Sequence, residues 1–239
     1  MRQSLMGHPT SFSLKNGFLS IQDKDFHFVF PLSQRNIDSY GKGIDHIIEK
    51  IGVAYHLDSI KLFPGDLVVD CGANVGALYL YLKKWYGNLV YYQGFEPGAL
   101  EFLCLQQNVE IKNLVHQTAL NEVDGDVAFF YSPDGADSSL IEPPNFINKY
   151  VANGARIDTI FSGSIKLLKI DAEGAELEVL KGAQNLLEKI KYITVDLGFE
   201  RGRSQDSTLI EVFNFLIPEG FCPIKINKRM VVLFENNSI

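Results

Sequence analysis

The chain has 239 residues, enough for one large domain with its own core but tight for two. Hydrophobic residues make up 46% and charged residues 21%, which excludes a disordered or fibrous chain. A formal net charge of −7 argues against nucleic acid as the partner, because a phosphate-rich surface calls for a basic footprint.

Cys71, Cys104 and Cys222 are widely spaced and odd in number. They form neither a disulfide framework nor a CxxC metal motif, and read as small buried hydrophobes in a reducing compartment. Met1 to Pro9 lacks the apolar core of a signal peptide, and no apolar run reaches membrane-spanning length. The expectation is a soluble, cytoplasmic protein.

In chain order, residues 1 to about 35 alternate loosely, as in Phe26-His27-Phe28-Val29-Phe30, and predict one or two β-hairpins. Ile44, Ile47, Ile48 and Ile51 then recur at the spacing of one apolar helix face. The turn Lys61-Leu62-Phe63-Pro64-Gly65-Asp66 ends this piece. The expected division is an N-terminal extension over residues 1–62 and a main domain over residues 63–239.

Beyond it, apolar strands alternate with helical periodicity. Strands are predicted over 67–70, 90–95, 113–118, 126–131, 165–170 and 192–197, and helices over 76–85, 97–108, 175–188 and 207–216. Residues 132–154 form a polar stretch, and 221–226 with 230–235 form a closing hairpin. This order predicts an α/β fold: a mostly parallel sheet with helices on both faces and antiparallel strands added at the end. Ligands of such sheets sit at the carboxyl ends of the strands.

The first strand ends Asp70-Cys71-Gly72-Ala73-Asn74-Val75-Gly76. A glycine turn between strand and helix lets backbone approach a nucleotide-type ligand closely. The middle glycine of a dinucleotide fingerprint is missing, and Asp70 would repel a pyrophosphate. It suits a ligand presenting an ammonium and a sulfonium, as S-adenosylmethionine does. Glu96 ends the second strand, where an acid can accept both ribose hydroxyls. Pro97 fits the first turn of the next helix. Ala119 and Leu120 after the third strand either flank an adenine ring or belong to the core, and His116 reads as structural.

The fourth central strand ends Asp171-Ala172-Glu173-Gly174-Ala175-Glu176. Asp171 acts as a general base toward a hydroxyl, or Asp171 and Glu173 together hold a hard divalent cation. The first reading is favoured, with no metal, because no His or further carboxylate is fixed nearby by sequence. Asp196 after the fifth strand either orients a polar substrate or simply terminates the strand.

Asp70-x-Gly72-Ala73-Asn74-x-Gly76, Phe95-Glu96-Pro97 and Ile170-Asp171-x-Glu173-Gly174-x-Glu176-x-x-Val179-Leu180-x-Gly182 together resemble the FkbM family of S-adenosylmethionine-dependent methyltransferases. The resemblance implies a Rossmann-like seven-stranded methyltransferase sandwich and O-methylation of a sugar, glycan or secondary-metabolite hydroxyl. It places Asp70, Gly72, Ala73, Asn74 and Gly76 at the methionine end of the cofactor and Glu96 with Pro97 at the ribose. Asp171 to Glu176 would face the transferred methyl group, with Asp171 and Glu173 catalytic. Ser138-Ser139-Leu140 would lie on a loop covering the substrate. Asp196 stands where a glutamate is expected. The acceptor itself would be set by residues 132–154 and 1–60, which carry the least pattern.

Overall fold

The computed structural model describes residues 11–23, 25–111, 114–132 and 138–239. Residues up to Thr10, the expected strand start at Asn113, and Pro133 of the polar stretch lie outside them. The centre of the fold is a seven-stranded sheet. Its strands, numbered in chain order, are β1 (Leu67–Cys71), β2 (Tyr91–Phe95), β3 (Val115–His116), β4 (Ile165–Ile170), β5 (Ile190–Asp196), β6 (Phe221–Ile226) and β7 (Val231–Asn236). They lie in the order β6-β7-β5-β4-β1-β2-β3. The pairs from β5 to β3 are parallel, and β7 runs antiparallel to both β5 and β6. This is the expected mostly parallel sheet with its reversed closing hairpin.

The central strands read as unbroken apolar runs because both faces are covered. Val68 and Leu167 point to one side, into a cluster with Leu78, Leu82 and Leu105. Their successors Val69 and Leu168 point to the other, into a cluster with Val179, Leu187, Val212 and Leu216. The helices supplying these faces are α2 (Ile44–Ala54), α3 (Ala77–Tyr86), α4 (Ala99–Asn108), α5 (Ile157–Ile160), α6 (Glu176–Lys181) and α7 (Leu209–Leu216), and α1 (Gln34–Tyr40) precedes them in the chain.

The N-terminal strands Ser11–Lys15, Phe18–Gln22 and His27–Pro31 form an antiparallel sheet of their own. Its Ile21, Phe28 and Phe30 pack with Ile44, Ile47 and Ile48 of α2 and with Val75, Leu80 and Cys104 beyond residue 62. Each such buried Phe contributes on the order of 1.5–3 kcal/mol. Asn108 fastens this sheet to the glycine turn: its amide donates to the carbonyls of Val29 (2.7 Å) and Val75 (2.6 Å) and accepts from Val29 N–H (2.7 Å).

Five details differ from the sequence expectations. The strand expected to run to Thr118 ends at His116, and Ala119–Leu120 instead pair in parallel with Gly154–Ala155 of a second small sheet. That sheet contains the strand Asn148–Ala155, which lay hidden in the polar stretch. The helix expected over 175–188 breaks after α6 into a 3-10 segment, Gln184–Lys189. The break coincides with Gly182, where a Cβ would stand 1.9 Å from the Asn121 carbonyl oxygen, so another chain segment presses directly on the backbone. Pro97 precedes the Gly98 cap of α4 instead of occupying its first turn. Cys222 is exposed, while Cys71 and Cys104 are buried as expected; all three are free thiols. Among the described residues no helix is long and apolar enough to cross a membrane.

Candidate active site

Two clefts meet at the carboxyl ends of β1, β2 and β4. The smaller, about 600 Å³, is lined by Phe95, Glu96, Pro97, Ala119, Leu120, Phe129, Ser138, Ser139 and Leu140, among others. The larger, about 860 Å³, lies between the same strand ends and α1 and α2. Gly72, Asn74, Asp171 and Glu173 line both. Most of the residues singled out in the sequence therefore converge here; Gly76, Glu176 and Asp196 line neither cleft, and Gly76 packs against Leu105.

The turn after β1 is strapped to its neighbours through the backbone. Gly72 and Ala73 N–H both donate to the Phe95 carbonyl (3.0 Å each), and Asp171 N–H donates to the Cys71 carbonyl (3.1 Å). Three positions take the left-handed conformation: Gly72 (φ 69°), Asn74 (φ 48°) and Gly76 (φ 92°). Asparagine tolerates that region better than most side chains, which accounts for its place between the glycines.

Glu96 holds the turn from β2. Its Oε2 accepts from Asn74 N–H (2.9 Å) and its Oε1 from Gly98 N–H (2.7 Å). Burial, then the nearby Glu101, pushes its pKa up to about 8. Glu96 lines the smaller cleft together with the apolar Phe95, Leu120 and Phe129 and the polar Asn74, Ser138 and Ser139.

Asp70 does not present a bare carboxylate to a ligand. It is 1% exposed, its Oδ1 lies 3.0 Å from Lys169 Nζ, and its Oδ2 accepts from Tyr92 OH (2.9 Å). Lys169 also donates to the carbonyls of Gly72 (2.6 Å) and Cys71 (3.2 Å). Burial opposes the lysine's charge, but Asp70 and Asp171 outweigh it and hold its pKa above the ordinary range. An internal ammonium thus meets the acid for which a ligand's ammonium had been expected. Lys169 escaped the sequence reading, although a lysine inside the apolar run of β4 signals a buried carboxylate partner.

Asp171 carries one side-chain hydrogen bond among the described residues, accepted at Oδ2 from Tyr55 OH. Burial and then Asp171 raise the Tyr55 pKa well above its usual value, so the phenol remains a donor. Tyr55, just past α2, gave no sign of this role in the sequence.

Glu173 sits at φ 50°, and carboxylate oxygens of Asp171, Glu173 and Glu200 lie within 4.8 Å of one another. These three supply the donor set of a hard divalent cation, a type of acidic cluster also common without one. Glu176, expected to face the methyl group, turns inward and accepts from Gly174 N–H (2.9 Å) and Thr208 OH (2.9 Å). Asp196 is 1% exposed and bound by Arg229 Nη2 (2.8 Å).

Burial first, then like-charged neighbours, pushes Glu200 up to about 8 and Asp196 up to about 6. Burial likewise takes Glu176 up to about 7. All these folded-state values exceed the unfolded carboxylate value of about 4, so the folded protein keeps protons that the unfolded chain has released. The associated stabilisation is full below about pH 4 and is lost as pH rises through 7 and 8. Calorimetry of the ligand-free protein is expected to show a Tm about 5 °C lower at pH 8.5 than at pH 6.5, taking about 2 kcal/mol at roughly 2–4 °C each. A Tm flat or rising over that interval would show that these carboxylates are ionised in the folded state.

The sequence matches the family described as the Methyltransferase FkbM domain over residues 70–221. "Methyltransferase 1" of Beauveria bassiana is 27% identical over 186 residues, covering 65% of this chain and 74% of that protein. The 31-O-demethyl-FK506 methyltransferase FkbM of Streptomyces tacrolimicus is 24% identical over 205 residues, covering 70% and 76%. The crystal structure of methyltransferase FkbM from Methylobacillus flagellatus superposes with a TM-score of 0.50 at 16% identity, over 84% of this chain but only 59% of that longer one. With the glycine turn, Glu96 and the Asp171 loop all inside the matched segment, the chain belongs to the FkbM family of S-adenosylmethionine-dependent methyltransferases.

Proposed function

We propose that the protein methylates a hydroxyl of a small-molecule or glycan acceptor, with Asp171 as general base. The observation that carries this reading is the junction of the two clefts at Gly72, Asn74, Asp171 and Glu173. The smaller cleft takes the adenosyl group, with Glu96 at the ribose and Ala119 and Leu120 along the ring. The larger takes the acceptor. O-methylation is supported by the name of the Streptomyces relative, whose substrate lacks an O-methyl group.

When bound, the cofactor supplies an electrophilic methyl group on a positively charged sulfur. The chain's share of the work is to align and to accept a proton. Gly72 and Asn74 shape the passage between the clefts, and alignment of this kind is worth on the order of 7–11 kcal/mol in favourable cases. Asp171 would receive the proton that the acceptor's hydroxyl loses when it takes the methyl group. Tyr55 keeps that carboxylate aimed by donating to one of its oxygens, and Lys169 offsets the negative charge gathered at the junction. Glu173, on the loop facing both clefts, is placed to orient the acceptor.

Transfer of a tritiated methyl group to a panel of glycan, polyketide and phenolic acceptors tests the proposal, with S-adenosylhomocysteine affinity measured alongside. Product carrying an O-methyl group is the expected result. Cofactor binding with no transfer to any acceptor would instead identify a non-catalytic binding module.

A further inference from the structure

Among the residues lining the larger cleft, Arg35, Lys50 and Arg229 are exposed and the others are buried or half-buried. All three are cations, in a chain whose net charge is −7. They come from separate elements: α1, the cleft-facing side of α2, and the turn between β6 and β7. On α2 the spacing is regular, with Ile47, Lys50, Ile51 and Ala54 on one face toward the cleft. The acids of this cleft, Asp70, Asp171 and Glu173, are more buried than these three cations, and Lys169 lies beside Asp70. The mouth of the cleft is therefore cationic, with its acids set deeper.

Two of the three cations have clear local surroundings. Arg229 is held by Asp196, which fixes the guanidinium at the rim. Lys50 pairs with no carboxylate among the described residues. Burial, then Arg229, Arg35 and Lys42, lowers its pKa, and Asp38 opposes them. An anion seated between a guanidinium and an ammonium is attracted by both.

We propose that the acceptor carries an oxyanion, a carboxylate or a phosphate, seated against Arg35, Lys50 and Arg229 while its hydroxyl reaches Asp171. The proposal rests on the larger cleft being the acceptor site of the methyltransferase. It assigns a substrate class to the segment before residue 62, since two of the three cations lie there. The neutral body of the acceptor would lie along Ile47, Ile51 and Ala54.

Titration calorimetry on the protein saturated with S-adenosylhomocysteine tests this, with D-glucuronate, D-glucose 6-phosphate and D-glucose as probes. At least one anionic probe is expected to bind about 10-fold tighter than glucose, and the better one tells carboxylate from phosphate. K50Q and R35Q are each expected to remove most of that preference while changing S-adenosylhomocysteine affinity less than about 2-fold. Equal affinities for the three probes, including no binding by any, would overturn the proposal while leaving the methyltransferase reading intact. So would K50Q and R35Q weakening S-adenosylhomocysteine itself, since the cations would then hold the cofactor's own carboxylate. Failure of the wild-type protein to bind S-adenosylhomocysteine would overturn the underlying reading and this proposal with it.

Discussion

Asp171→Asn is expected to lower kcat by about 10²- to 10⁴-fold, the usual contribution of a positioned general base. S-adenosylhomocysteine affinity should stay within about 3-fold of wild type. The substitution is nearly isosteric, and the amide oxygen still accepts from Tyr55 OH, so the contact that orients the side chain survives. The backbone bond from residue 171 N–H to the Cys71 carbonyl does not involve the side chain and also survives. What disappears is the capacity to take a proton. Near-normal turnover in D171N, with folding confirmed by an unchanged Tm, would transfer the role of base elsewhere in the acidic cluster, with Glu173 and Glu200 the nearest alternatives.

Gly72→Ala is expected to lower Tm by about 10 °C and cofactor affinity by at least about 100-fold. Two costs combine. An alanine at φ 69° carries a left-handed penalty of about 1–2 kcal/mol. Its Cβ would also stand 1.8 Å from the Asp171 carbonyl oxygen, far inside contact distance, and that oxygen is backbone at the end of β4. Relief requires parting β1 from β4, which breaks the Cys71–Asp171 bond and draws Lys169 away from the Gly72 carbonyl. Gly65 offers the control. It too is left-handed, at φ 91°, but a Cβ there meets nothing within 4 Å. G65A should therefore show the backbone cost alone, a Tm loss of a few degrees at about 2–4 °C per kcal/mol. Equal effects of the two substitutions on Tm and cofactor affinity would show that the turn yields around Asp171.

The strands were legible because their signal is local. β4 occupies the six residues that the apolar run marks, and β1 extends one residue beyond its predicted end. The strand-end acids Asp70, Glu96, Asp171 and Asp196 fall on one sheet edge because each terminates a parallel strand. Illegible were the partners that decide what these acids do. Tyr55 reaches Asp171 across 116 positions, and Lys169 stands 99 positions from Asp70, and no local pattern encodes such pairings. The helix over 175–188 shows the same limit from the other side. Its periodicity continues, but the Asn121 carbonyl arrives from a distant segment and ends it at Gly182. α1 buries no residue, so it has no apolar stripe to read; only the Ser33 cap, accepting from Asn36 N–H at 3.1 Å, marks its start.

The Asp70–Lys169 pair has a consequence for evolution of the site. A buried acid and a buried base 3.0 Å apart can each be lost only at the cost of leaving the other charge stranded in a dry interior, a penalty of about 3–5 kcal/mol. Neither position can drift through a single neutral change. Arg35 and Lys50 are exposed, so the loss of either strands no charge in a dry interior. The machinery that shapes the turn is thus locked pairwise into the fold, while the exposed mouth of the larger cleft is open to change one residue at a time without its core having to change.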